Sequence, residues 1–204
     1  MLQNRVDPFG NIITTKARGA WMGNRGILHN DEQQIIRSFK LKAWITCKLE
    51  FNDRKRKVMS PNRYTELFFL DEATSFAAGH RPCFECRRND YQHFKSLWIK
   101  GNPDYHFDEK TSITKIDDIL HKERIDRSKT KVTYNGNDEE LPDGSFVLFD
   151  GKSYLILDQK MYLWSPFGYD KTNVLPMPVR LTILTPRSII NTFRAGYLPQ
   201  IALI

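Results

Sequence analysis

One short run restricts this chain more than any other: Gly79-His80-Arg81-Pro82-Cys83-Phe84-Glu85-Cys86-Arg87-Arg88. Two thiolates three positions apart on a tight turn can face one tetrahedral ion, with sulfur–metal distances of about 2.3 Å. Pro82 stiffens the approach to that turn, and Gly79 permits the chain to reverse just before it. The sequence holds 3 cysteines in all. That odd count is too small for the disulfide framework of a secreted domain, so the thiols are read as reduced. Cys47 is then the third ligand, and a histidine completes a Cys3His set around zinc: either His80, three residues before Cys83, or His29, which follows a glycine-rich segment. A second reading stays open, in which these thiols are small hydrophobes or a redox pair. A thioredoxin-like pair fits less well, because there the motif follows a strand and opens a helix, whereas here a short helix and its glycine stop come first.

The pattern around the turn supports that placement. Residues 64–70 read as a buried strand, and Asp71 can cap a short helix over 72–78 that Gly79 ends in a left-handed conformation. Beyond the turn, Asn89 or Asp90 can cap a helix whose Tyr91, Phe94, Leu97 and Trp98 recur at three- and four-residue steps. A third helix is expected over 115–127, capped by Thr114. Upstream, residues 43–51 alternate imperfectly and read as a strand ending in a polar turn at 52–57, with Val58 and Met59 beginning the return. Three glycines break every periodic pattern between Thr14 and Gly26, so that segment reads as a long ordered loop.

The last third changes character. Residues 145–149 and 153–157 flank Asp150-Gly151, a strong hairpin signal. Residues 161–164 and 179–184 add strands, and a helix opened by Pro186, capped by Thr185, runs to about Arg194 before Gly196. The fold class expected is therefore α+β: a metal-knuckle half over 1–134 and an antiparallel meander with a packed helix over 145–204. The acidic, turn-rich stretch 135–144 is the boundary if the halves are separate, and one continuous domain is the alternative.

Composition bears on partners. Lys and Arg number 31 against 24 Asp and Glu, a formal net charge of +7 over 204 residues, which favours polyanionic partners. The N-terminal residues lack the apolar core of a secretory signal, and no apolar run approaches the roughly 20 residues that span a bilayer. A cytoplasmic protein without a membrane partner is expected.

Residues 68–87, with the turn Gly79-His80-Arg81-Pro82-Cys83-Phe84-Glu85-Cys86 at their end, resemble the second half of the Ada-type metal-binding domain. In that domain a strand, a short helix and a G-x-R-P-C-x-x-C turn supply two of four zinc thiolates. Where the family places two further cysteines upstream, this sequence has Cys47 alone. Such modules occur in DNA alkylation repair proteins and beside nucleases, so the resemblance implies zinc and DNA. The whole chain is also similar to an uncharacterised bacterial family sharing the R-G-x-x-x-G-N-R-G segment that here runs from Arg18 to Gly26, a likeness that implies no activity.

Cations bracket the cysteine pair in sequence: Arg54, Lys55, Arg56, Lys57, Arg63 and Arg81 precede Cys83, and Arg87 and Arg88 follow Cys86. Such side chains make most phosphate contacts, and a solvated turn is the alternative use of them. Tyr64, Phe84 and Tyr91 can stack bases, although two of the three are expected in the core. Arg18 and Arg25, among their glycines, can wrap an anion, but no Lys-Ser/Thr follows, so the segment is not a nucleotide P-loop. No catalytic residue is identifiable; His29, Glu66 and His80 are the polar groups nearest the distinctive segments. The leading expectation is a zinc-stabilised nucleic-acid-binding protein tied to DNA repair or processing. The alternatives are a nucleotide- or nucleic-acid-processing hydrolase and a basic protein-interaction module.

Overall fold

The structure is a computed structural model that describes residues 1–53, 57–137, 141–174 and 180–202. Among these it forms an α+β fold of two six-stranded, mostly antiparallel sheets with four helices. The first sheet is built from β1 (Gln3–Val6), β2 (Ile12–Thr14), β3 (Trp21–Asn24), β4 (Ile45–Cys47), β5 (Leu67–Phe69) and β6 (Arg81–Pro82), in the order β2-β1-β5-β3-β4-β6. The second contains β7 (Tyr134–Asn137), β8 (Phe146–Phe149), β9 (Lys152–Leu157), β10 (Lys160–Ser165), β11 (Gly168–Val174) and β12 (Arg180–Ile183), in the order β11-β10-β9-β8-β12-β7.

The glycine-rich N-terminal segment is not a loop. It contributes β3, which lies between β5 and β4 near the middle of the first sheet. Glycine is there for proximity rather than for a turn: a Cβ on Gly23 would sit 2.3 Å from the Ile45 carbonyl oxygen of β4. The strand expected over 43–51 is cut to three residues, and Val58 and Met59 form a turn instead of a returning strand.

Helix α1 (Glu72–Ala77) joins the two sheets, and all six of its residues are buried. Its Ala73 and Ala77 pack with Phe146, Leu155 and Leu184 of the second half, while Ala78 joins Val6, Leu67 and Phe69 of the first sheet. Asp71 caps it by accepting from the Thr74 amide at 2.8 Å, and the same carboxylate accepts from the Tyr169 hydroxyl at 2.6 Å. Helices α2 (Arg88–Gly101), α3 (Ile113–Arg124) and α4 (Arg187–Arg194) surround Phe76 with Phe94, Trp98, Ile116, Leu120, Ile189 and Phe193. Each such side chain taken from water contributes about 1.5–3 kcal/mol before entropic costs.

The hairpin at Asp150-Gly151 and the strands beside it form as expected, and β11 and β7 add two strands that no sequence pattern marks. β7 begins at Tyr134 and runs into the stretch expected as a boundary, pairing there with β12. Helix caps differ in detail. Ser112 rather than Thr114 caps α3, and Thr185 does not cap α4: its hydroxyl accepts from the Phe146 amide at 2.9 Å.

Candidate metal centre

Two strand registers bring the thiols together. β4 pairs antiparallel with β3, placing Cys47 opposite Met22, and parallel with β6, placing Thr46 opposite Pro82. One residue beyond that pair, Cys83 lies alongside Cys47, held by its amide donating to the Thr46 carbonyl at 2.9 Å. The chain then turns through Phe84 to Cys86, and the Arg87 amide donates to the Cys83 carbonyl at 3.1 Å, delivering Cys86 to the same side. The result is three buried thiols whose sulfurs all lie within 4.8 Å of one another. Sulfurs around a tetrahedral ion with 2.3 Å bonds stand about 3.8 Å apart, so modest closure of this triangle could hold a metal.

The thiols hydrogen-bond one another. The Cys83 thiol is pulled below its ordinary range by hydrogen bonds from Cys47 and Cys86, and then by the amides of Cys86 and Glu85. Cys47 is pushed up, first by its hydrogen bond with Cys83 and then by that with Cys86. A pair of thiols thus stabilises one thiolate, the electronic state from which metal binding begins.

Neither histidine proposed as the fourth ligand joins this group, because both are committed elsewhere. His80 follows the Gly79 reversal, so its ring points into the core between Trp44 and Phe69, with centroids 5.2 and 4.7 Å away, and its Nε2 accepts from Arg25 Nε at 3.2 Å. Burial and the neighbouring Arg25 and Arg124 charges hold it well below the usual histidine range. His29 contacts the Thr65 hydroxyl at 2.6 Å and the Ser60 carbonyl at 3.1 Å.

In place of a fourth side chain the thiols border a cavity of about 430 Å³, whose walls include Met22, Ile45, Tyr64, Glu66 and Phe68. Glu66 is buried and accepts from the Met59 amide at 2.8 Å. Met22 of β3 pairs with Cys47 on one side and with Phe68 on the other, a placement that shows only once β3 is recognised as a strand, a signal hidden by its glycine.

The cations expected to meet phosphate, around the turn and in the glycine-rich segment, divide into three groups. Arg81 donates to both Asp117 oxygens at 2.7 Å, and Arg87 is buried between Glu72, Asp90 and the Trp21 ring. Those two serve internal ion pairs, because the turn that presents the thiols is itself packed against α1 and α3. Arg25 is buried near His80, on the far side of β4 from the thiols. Arg18, Lys57, Arg63 and Arg88 are exposed, with Arg88 over the Phe84 ring at 5.0 Å; Arg54, Lys55 and Arg56 lie outside the described residues. Of the three aromatics, Tyr64 and Phe84 are 54% and 52% exposed and Tyr91 is half-buried, so the expectation that two are core is not met.

No helix of the described residues is long and apolar enough to cross a membrane. Comparison of the chain with protein-family models, curated proteins and solved structures finds no match in any of the three.

Proposed function

We propose that this chain is a zinc-thiolate protein that binds nucleic acid on the face beside its metal centre. One observation carries the reading: three buried thiols border a cavity whose rim bears exposed Tyr64, with Lys57 and Arg63 on the groove continuing from it through Tyr64 and Glu66. Zinc suits a tri-thiolate set better than magnesium or calcium, which prefer oxygen. Exposed rings next to cations are what a single strand uses, bases stacking while phosphates pair. The fourth metal position is left to a water or a ligand entering the cavity, which the buried Glu66 carboxylate could orient.

Elemental analysis of protein purified without added zinc tests the metal. About one equivalent, lost in Cys47→Ser, supports the assignment; less than a few tenths, with folding indifferent to chelator, removes it. Fluorescence anisotropy with a labelled single-stranded oligonucleotide tests the partner. Binding should weaken steeply with salt, and Lys57→Glu with Arg63→Glu should reduce the salt slope by about two. Absence of saturable binding at low salt would end the nucleic-acid reading while leaving the metal intact.

The open cavity favours one further reading, a hydrolase acting on nucleotides at the metal. If Cys83→Ser abolishes folding instead of turnover, that residue has no enzymatic role of its own.

A further inference from the structure

A second cleft of about 670 Å³ shares no lining residue with the thiol cavity and is built from different chemistry. Five of its lining residues are cations: Arg25, Arg37, Arg124, Lys129 and Lys131. Two of these are almost wholly buried, Arg25 at 1% and Arg124 at 2% exposed, and both pack on the Trp44 ring, with guanidinium carbons 3.8 and 4.0 Å from its centroid. Neither has a carboxylate within ion-pair distance among the described residues. Arg25 spends Nε on His80 and Nη1 on the Gly10 carbonyl, leaving Nη2 without a partner. Arg124 spends its Nη groups on the Gly79 and Lys42 carbonyls and on His121, leaving Nε without one. Lys131 donates to the Ala77 carbonyl.

The nearby acids do not balance this charge. Asp117 is taken by Arg81, and Asp7, whose field reaches Arg25 and Lys131, is bound to the Asn11 amide and side chain. Uncompensated burial pushes Arg25 down to about 9 and Lys131 to about 7. Leaving donors of buried cations unmade costs more than an ordinary hydrogen bond returns, so such a group is expected to have a partner that comes from outside. Gly10, at a φ of 89°, lines the same cleft, and its carbonyl accepts from Arg25 Nη1.

We propose that this cleft binds the phosphate of a small phosphomonoester, with the Arg25 and Arg124 guanidiniums and the Lys131 ammonium, all lining it, drawing its oxygens in and Arg37 and Lys129 at the exposed end. A monoester dianion matches the excess of cations better than the single charge of a backbone diester. The cleft also has the size of a small-molecule site, and Phe9, Ile12 and Ile35 supply apolar wall for the rest of the ligand. This site stands independently of the metal reading.

Isothermal titration with inorganic phosphate and with adenosine 5′-monophosphate, using an unphosphorylated oligonucleotide as diester control, tests it. Expected is saturable binding of both monoesters in mutual competition, no displacement by the oligonucleotide, and unchanged binding in Cys47→Ser, provided that variant folds. The surface pair Arg37→Ala with Lys129→Ala, both exposed, should weaken binding about fivefold. Lys131→Met should weaken it tenfold or more. No saturable heat, or affinity unmoved by the surface pair, overturns the site; displacement by the oligonucleotide overturns its assignment to a monoester.

Discussion

Gly23 shows how much a single missing side chain can hold in place. Its backbone lies against β4, where Gly23→Ala would press a methyl onto the Ile45 carbonyl 2.3 Å away. That substitution should cost about 1–3 kcal/mol in urea unfolding and should loosen metal retention, since β4 carries Cys47. Arg81 and Asp117 make the opposite case, a pair whose worth lies in being complete. Asp117→Asn leaves the buried Arg81 uncompensated and should cost about 3–5 kcal/mol, whereas Arg81→Met with Asp117→Leu should cost far less than the sum of the single changes. A nucleic-acid role for Arg81 would instead predict lost affinity with stability unchanged. Lys131 gives a pH dependence. Its folded value near 7 lies below the 10.5 of the free side chain, so between these values the unfolded chain binds more protons and stability should rise with pH. Arg25, Arg124 and Asp7 face it and share the field. Urea midpoints measured from pH 7 to 9 should climb, and Lys131→Met should flatten the climb.

At the scale of elements, legibility followed how local the determinants were. Helix α1 was readable because its start and stop are neighbours in sequence, an aspartate cap and a glycine with φ of 85°. The hairpin at Asp150-Gly151 was readable for the same reason. The knuckle was legible as two thiols on a turn, and Cys47 as their partner, from cysteine arithmetic alone. Strand β3 was not, because its glycine belongs to a contact with a strand more than twenty residues away. The histidines misled for a related reason. His80 is close to Cys83 in sequence, yet strand β6 turns it to the opposite face, toward Trp44. Arg124 and Lys131 carried no sequence signal, since only the packing of α3 brings them to Arg25 and Trp44. Asp71 binds these levels together, capping α1 while accepting from Tyr169 and the Ala202 amide. Asp71→Ala should therefore cost about 2–4 kcal/mol, more than a cap alone, as read by thermal or urea unfolding.

Across the whole molecule, the first sheet separates two kinds of chemistry. On one side of β4 three sulfurs border a cavity rimmed by Tyr64; on the other, arginines surround Trp44 with donors to spare. Both depend on the first sheet keeping its order, and metal bound at Cys47, Cys83 and Cys86 would tie β4, β6 and the following turn into one unit. Chelation should accordingly lower the melting temperature of the intact chain and be reversed by added zinc, because binding to the folded state alone adds stability. The most direct measurement is zinc-edge X-ray absorption on the protein as purified. Three sulfurs at about 2.3 Å with one lighter atom are expected. A spectrum with fewer than three sulfurs, or protein carrying no zinc at all, would contradict the shared thiolate centre.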